Sequence, residues 1–301
     1  MQAFGRRWVR WGLATLVAAL ASSTAAIAAR STRTALRDLH PPRQSVEHDL
    51  AARGGFEEVT FRSADGVTLR GWYRPPRNGA LILLAHGWGA SRTQMLPAAA
   101  MLAGQGFGAL LFDFRGHGES EGSVVTSGDQ ERLDLAAALA FVRRRTDATG
   151  ARLGAQGFSM GGTAVAEVAA VDGGIEAAVL EATPPTLEED IRSDYPAWRP
   201  FAPWVGVLVH RLAGVRVSEV RPIARLCALA PRPLLLIYGD RDPAFAGSTD
   251  GRRMLGAACG PADLWIVPGA GHGKFMEVDP DGYAQRISGF FTRALLANRA
   301  P

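Results

Sequence analysis

Cysteine is scarce in this 301-residue chain, which contains only Cys227 and Cys259. They lie in different segments and lack the spacing of metal ligands, so a cysteine-bound metal centre is excluded and no metal site is expected. We interpret them as two unpaired, small buried residues. A disulfide between them is the alternative if the protein is exported, since sequence does not show whether their Cα atoms approach closely enough.

A basic surface is also lacking over most of the chain. The formal net charge is +4, but residues 1–55 contain eight arginines against three carboxylates, which leaves the rest at −1. Nucleic-acid binding needs a basic groove or patch on the folded domain. The sequence therefore predicts no nucleic-acid partner.

No internal repeat is visible, and a chain of this length forms one large α/β domain or two small ones. Its hydrophobic content of 47% is enough for a sizeable core. Continuous apolar runs such as residues 81–85, 109–112 and 233–238 are typical of strands buried on both faces, and helical patterns separate them. We predict an α/β fold: a mostly parallel, doubly wound sheet over residues 56–301, with a small helical cap inserted at about 184–222.

The N-terminus has the features of a targeting segment. Arg6, Arg7 and Arg10 precede 19 uncharged residues, 11–29, and Ala26-Ile27-Ala28 fits a cleavage site. Residues 1–29 are therefore a signal peptide or a retained membrane anchor, and the sequence does not decide between them. Either would place the remainder outside the cytoplasm. Residues 30–55 are polar and Arg-rich, without a clear period, and we expect a linker or a loosely docked arm.

Two amphipathic patterns make further expectations. Ser127 and Gln130 fit a capping box that opens a helix, whose apolar face is predicted from the spacing. The predicted face consists of Leu133, Ala136, Ala140 and Phe141. In the cap, Trp198, Phe201 and Trp204 are expected to lie mainly in the core.

The stretch around Ser159 carries the chemistry. Gly157-Phe158-Ser159-Met160-Gly161 follows an apolar run and opens a small-residue helix, which is the G-x-S-x-G pattern in its required setting. The turn needs glycines because neighbouring Cβ atoms would collide across it. We expect Ser159 to be a nucleophile.

A serine nucleophile needs a base and a group that orients the base. His272 lies among glycines after the last predicted strand, and Asp242 follows the preceding strand. Ser, Asp, His is the chain order expected for this architecture. Asp240, which we expect to bond loop backbone, and Glu181 are the competing carboxylates.

With His86-Gly87-Trp88-Gly89 and the run from Asp113 to Ser120, these motifs make the chain resemble a serine hydrolase of the α/β-hydrolase superfamily over roughly residues 56–296. The short cap is similar to the BEM46-like and serine-aminopeptidase-like (S33) branches. The resemblance implies an oxyanion hole made by the backbone amides of Trp88 and Met160. We expect His86 to hold the oxyanion loop, and His117 and Ser120 to shape the loop after Asp113.

The function predicted from these residues is hydrolysis of a carboxylic ester through an acyl-enzyme, without metal or organic cofactor. Peptidase, amidase and thioesterase activities use the same three residues and stay open. A non-catalytic, membrane-associated binding protein on a hydrolase scaffold is the alternative from another class. The expected partners are a small ester or acyl substrate and, through the N-terminus, a membrane.

Overall fold

The computed structural model describes residues 2–195, 201–243 and 247–297, with side chains from residue 11 onward. An eight-stranded sheet runs through it in the order β1-β2-β4-β3-β5-β6-β7-β8. β1 pairs antiparallel with β2 and β2 with β4, whereas the remaining neighbours are parallel. The strands are β1 Glu57–Arg62, β2 Thr68–Arg74, β3 Ala80–Ala85, β4 Gly108–Phe112, β5 Arg152–Phe158, β6 Ala177–Glu181, β7 Leu234–Gly239 and β8 Ala262–Val267.

Helices cover both faces of the sheet, as the alternating pattern predicts. α4, α5 and α9 pack on one face, and α3 and α11 pack on the other. β3, β4 and β7 are buried along their whole length because both of their faces are covered. The α-helices are α1 Gln2–Leu39, α2 His48–Arg53, α3 Leu96–Gly104, α4 Glu131–Arg143, α5 Met160–Val171, α6 Leu187–Ser193, α7 Ala202–Leu212, α8 Pro222–Arg225, α9 Ser248–Ala257, α10 Phe275–Val278 and α11 Pro280–Leu296.

The segment that follows the N-terminal apolar residues differs from the expected linker. α1 continues unbroken through Leu39, and Ser31, Ala35 and Leu39 are buried at four-residue intervals. They lie on one face of α1, which packs against α7. The sequence did not reveal this face because two of its three buried residues are small and one of those is polar.

α1 is also long and apolar enough to cross a membrane, by length and composition alone. Residues 11–20 include five large apolar side chains that are each more than half exposed: Trp11, Leu13, Leu16, Val17 and Leu20. A signal sequence would pass the same test.

α4 turns a different face to the core from the one expected. Leu135, Ala138, Leu139 and Val142 are buried, whereas Ala136 is exposed. The Ser127 capping box is also wrong: the Thr126 hydroxyl accepts from the Gln130 amide at 2.7 Å instead. The buried face also includes Asp134, whose carboxylate binds Arg115. A hydrophobic period assigns a charged residue to the solvent side of a helix, so it predicts the wrong face here.

Two further expectations are wrong: the burial of the cap aromatics and the unpaired state of the cysteines. Phe201 and Trp204 are 69% and 57% exposed, so they do not lie in the core; Trp198 lies outside the described residues. Cys227 and Cys259 form a disulfide, because the segments after α8 and after α9 bring their Cα atoms to 4.6 Å. Their separation of 32 positions along the chain hides that proximity from the sequence.

Candidate active site

Ser159 lies on the turn between β5 and α5, with φ 52° and ψ −114°. A Cβ on Gly157 would approach the Gly161 carbonyl oxygen to 2.4 Å, and one on Gly161 would approach the Ala85 oxygen to 2.2 Å. Both contacts are with backbone and cannot be relieved by a side-chain movement. The two glycines therefore allow the sharp turn that holds the serine in a backbone conformation unusual for a side-chain-bearing residue.

His272 and Asp242 come from the loops that follow β8 and β7. The Nδ1 atom of His272 lies 2.8 Å from Oδ2 of Asp242. The imidazole also packs against the ring of Phe158, with centroids 4.8 Å apart. Gly273, at φ 70°, leaves room for that ring, since a Cβ there would meet it at 2.6 Å. The ring of His272 is thus fixed by a carboxylate on one side and an aromatic ring on another.

The two competing carboxylates have other partners. Asp240 accepts a hydrogen bond from the Gly269 amide at 2.6 Å, which is the loop-backbone role expected for it. Glu181 is buried and accepts from Gln156 and from the Tyr283 hydroxyl at 2.8 and 2.7 Å. Burial raises the pKa of Glu181 to about 7, against the effect of those two hydrogen bonds.

The loop after β3 is held from two sides by buried histidines. Nδ1 of His86 donates to the Gly87 oxygen at 2.7 Å, so its Nε2 is free to accept from the Phe114 amide at 3.1 Å. His117 donates through Nδ1 to the Arg115 oxygen, and its Nε2 accepts from the Gly89 amide at 3.0 Å. From the sequence, His117 is expected to shape the loop after Asp113. Its ring also binds the loop after β3, through the Gly89 amide.

Two backbone amides near Ser159 are available to a ligand. In the part of the chain that the structure describes, the Trp88 amide has no hydrogen-bond acceptor. The Met160 amide belongs to the first residue of α5, where no carbonyl of the same helix can accept from it. Both residues, together with Ser159 and His272, line one cavity of about 220 Å³.

The wall of this cavity that belongs to the cap and α1 is acidic. Asp190 and Asp194, from α6 and the residue that follows it, line the cavity together with Asp38 of α1. Burial, and then the neighbouring carboxylates of Asp194 and Asp38, raise the pKa of Asp190 to about 8. Burial also raises the pKa of Asp194 to about 6. His210, from α7, completes this wall.

The end of α1 and the chain that follows it contact these loops. The Nε1 atom of Trp88 donates to the Asp38 oxygen at 2.7 Å. The Arg43 guanidinium donates to the oxygens of His117, Gly118, Ser120 and Gly122 at 2.5–3.2 Å. Sequence reasoning missed this role, because an arginine between a proline and a glutamine has no local pattern that indicates four carbonyl partners.

A second cavity of about 470 Å³ lies against the same Phe158 and His272. Met95, Phe275 and Met276 contribute apolar side chains to its lining. Within the described ranges, histidine, cysteine and carboxylate side chains do not gather in any group of three or more that could hold a metal ion.

The sheet order, the strand–turn–helix at Ser159 and the loops that converge on it define an α/β hydrolase. Residues 76–226 match the family described as serine aminopeptidase, S33, and the chain belongs to this family and is a hydrolase.

Among curated relatives, Rv2307c of Mycobacterium tuberculosis is 31% identical over 218 residues, which cover 71% of this chain and 72% of the relative. YfhR of Escherichia coli K12 is 28% identical over 79% of this chain and 81% of its own length. Both are described as uncharacterized. A solved Pyrococcus furiosus esterase is similar with a TM-score of 0.68 and 26% identity, covering 85% of this chain and 99% of the esterase.

Proposed function

We propose that this hydrolase cleaves carboxylic esters through a serine acyl-enzyme. The observation that carries the proposal is one cavity lined by Ser159 and His272, with His272 hydrogen-bonded at Nδ1 to Asp242. A nucleophile, a base and a group that orients the base are the components that acyl transfer requires. The similarity to the Pyrococcus furiosus esterase supports an ester in preference to other acyl compounds.

In the proposed reaction, the Ser159 hydroxyl attacks the ester carbonyl and gives its proton to Nε2 of His272. The amides of Trp88 and Met160 bind the oxyanion that forms. His272 protonates the departing alkoxide, which leaves as an alcohol, and then takes a proton from the water that attacks the acyl-enzyme. It gives this proton to the Ser159 oxygen as the carboxylic acid departs, which restores the serine hydroxyl. Asp242 holds the imidazole with its proton on Nδ1 and stabilises the imidazolium without accepting that proton.

The proposed setting is the extracytoplasmic face of a membrane, with α1 retained as an anchor. The Cys227–Cys259 disulfide supports export, because such bonds persist in oxidising compartments. Retention is supported by Ile27, which precedes the cleavage position expected after Ala28. Its side chain packs against the same apolar cluster that holds Leu39. Mass spectrometry of the N-terminus of the membrane-bound protein tests retention, and a mature chain beginning at residue 29 would contradict it.

The mechanism is tested with p-nitrophenyl esters from acetyl to long acyl chains, using the full chain in detergent. Ser159→Ala should lower kcat by at least about 10³-fold, and Ser218→Ala, a change at an exposed cap serine, should leave it unchanged. Full activity in Ser159→Ala would refute the mechanism. A wild type that labels with a fluorophosphonate but hydrolyses none of the esters would keep the nucleophile and reject the substrate class.

The acidic wall favours one second candidate, cleavage of substrates with a free amino terminus. An ammonium group beside Asp190 and Asp194 would favour their ionised forms and be bound by them. The comparison is between an L-aminoacyl p-nitroanilide and its N-acetyl derivative. Faster cleavage of the free amine, with the difference lost in Asp190→Asn, would establish aminopeptidase activity. Equal rates on the two anilides would reject it and keep the esterase proposal.

A further inference from the structure

One face of α7, together with Phe201 just before the helix, exposes a stripe of large apolar side chains to solvent. Phe201, Trp204, Leu208 and Leu212 are 69%, 57%, 54% and 79% exposed. Their spacing of three, four and four residues places them along one side of the helix. We call these four residues the α7 stripe. The Arg192 guanidinium lies 4.1 Å from the ring centre of Trp204, but the stripe otherwise has no covering in the described residues.

The opposite face of α7 fixes the helix to α1. Ala202 and Val207 are buried in an apolar cluster that also contains Leu39 and, at its edge, Ile27. Tyr195 follows α6, and its hydroxyl donates to the Ser31 oxygen of α1 at 3.3 Å. α7 is therefore packed directly against the helix that carries the apolar residues 11–29.

Arginines mark the end of the apolar part of α1. Arg30, Arg33 and Arg37 follow it at intervals of three and four residues and are exposed or nearly so. With a rise of 1.5 Å per residue, Asp38 in the cavity wall lies only about 12 Å along the axis from Arg30. If residues 11–29 span the hydrocarbon layer, these arginines lie among the lipid phosphates and the cap lies directly above them.

We propose that the α7 stripe inserts into the surface of the same lipid bilayer that holds α1. Continuity with the anchoring helix identifies the occupant, and the adjacent arginines match an anionic lipid surface. The docking surface consists of α7, which also supplies His210 to the catalytic cavity, so esters dissolved in the membrane would enter beside α7. The entry of substrate rests on the proposed esterase function, whereas insertion of the stripe does not.

Insertion is tested on the full chain reconstituted in vesicles of phosphatidylcholine and phosphatidylglycerol, with and without brominated acyl chains. The difference in fluorescence between wild type and Trp204→Phe isolates Trp204. Brominated lipid should quench this component by at least half, and an unquenched component would overturn the proposal. This measurement needs no activity, so its outcome is independent of the substrate.

The consequence for substrate is tested with Leu208→Ser/Leu212→Ser, and with Val171→Ser as the matched exposed apolar change on α5. The double variant should hydrolyse a long-chain ester embedded in the vesicles at least fivefold more slowly and p-nitrophenyl acetate at the wild-type rate. Equal rates on the vesicle ester would overturn substrate entry beside α7. A concentration-dependent mass in detergent, abolished only by the double variant, would assign the stripe to contact between copies and overturn lipid docking.

Discussion

Replacement of His117 should separate the support of the proposed oxyanion loop from the proposed catalytic residues themselves. Its buried imidazole contributes one bond on each side: Nδ1 donates to the Arg115 oxygen at 2.9 Å and Nε2 accepts from the Gly89 amide at 3.0 Å. Burial lowers the pKa of His117, so the ring is neutral and keeps an acceptor facing Gly89. His117→Ala leaves the Gly89 amide without this acceptor, one residue beyond the proposed oxyanion donor Trp88.

The expected magnitudes follow from that geometry. An orphaned amide costs about 1–3 kcal/mol of the unfolding free energy when it is fully buried, and the partly buried Gly89 amide should lie at the lower end of that range. Complete loss of one oxyanion donor lowers kcat by about 10²–10³-fold, and a loop that is displaced but still present should lose less. We therefore expect kcat to fall by about 10- to 100-fold. KM should change little, since the hydrogen bond from the Trp88 amide to the oxyanion forms only in the transition state.

The assay is hydrolysis of p-nitrophenyl acetate, with urea unfolding of the same samples. His117→Gln, which can place an amide oxygen near the Gly89 amide, should recover part of kcat. His48→Ala is the control, because this histidine is half-exposed and pairs with Glu58 and Glu119 away from the cavity. A kcat for His117→Ala within twofold of wild type would refute the proposed link between His117 and the oxyanion loop.

Three further predictions concern stability. Arg115→Met leaves the buried carboxylate of Asp134 without its guanidinium partner. It should lower the unfolding free energy by about 3–5 kcal/mol in urea, and Arg115→Met/Asp134→Leu should recover most of it; no recovery would contradict the ion-pair explanation. The pKa of Asp190 is raised from 3.8 to about 8, so the folded chain retains a proton that the unfolded chain has released. This residue should therefore make stability fall by up to about 1.4 kcal/mol per pH unit between those values. Asp190→Asn should make the slope shallower by that amount, although the raised pKa values of Asp38 and Asp194 keep part of it at lower pH, and an unchanged slope would contradict the assignment to Asp190. Reducing the Cys227–Cys259 bond should lower the unfolding free energy by about 2–4 kcal/mol, and identical urea midpoints with and without reductant would show that it contributes nothing.

The sheet was predictable because the amino-acid pattern of each strand depends on whether one or both of its faces are buried. Strands covered on both faces have no polar alternation, so Leu81–Ala85 and its neighbours appear as unbroken apolar runs. Connections between parallel strands then bring their carboxyl ends to one edge, which is how Ser159, Asp242 and His272 were grouped from chain order alone. Their catalytic roles stay predictions, whereas the bond between Asp242 and His272 is a feature of the fold.

The errors arise where a partner distant in sequence decides burial. Asp134 lies inside because Arg115 reaches it from the loop after β4, and no period within α4 contains that information. The disulfide and the four carbonyl partners of Arg43 are similar cases. A local pattern predicts burial only for an average environment. The burial of these residues is decided by particular partners that lie far away in the sequence.

The N-terminal segment shows why this matters for function. Residues 30–55 lack a hydrophobic period, and their composition indicates a linker or a loosely docked arm. Instead, Asp38 lines the cavity that contains Ser159 and His272, and its carbonyl oxygen binds the Trp88 side chain, while Arg43 holds the loop that carries His117. The segment that connects the apolar helix to the domain is thus also a wall of the site. A truncation that begins near residue 56 would therefore remove part of the cavity along with the anchor, and its activity would not represent that of the full chain.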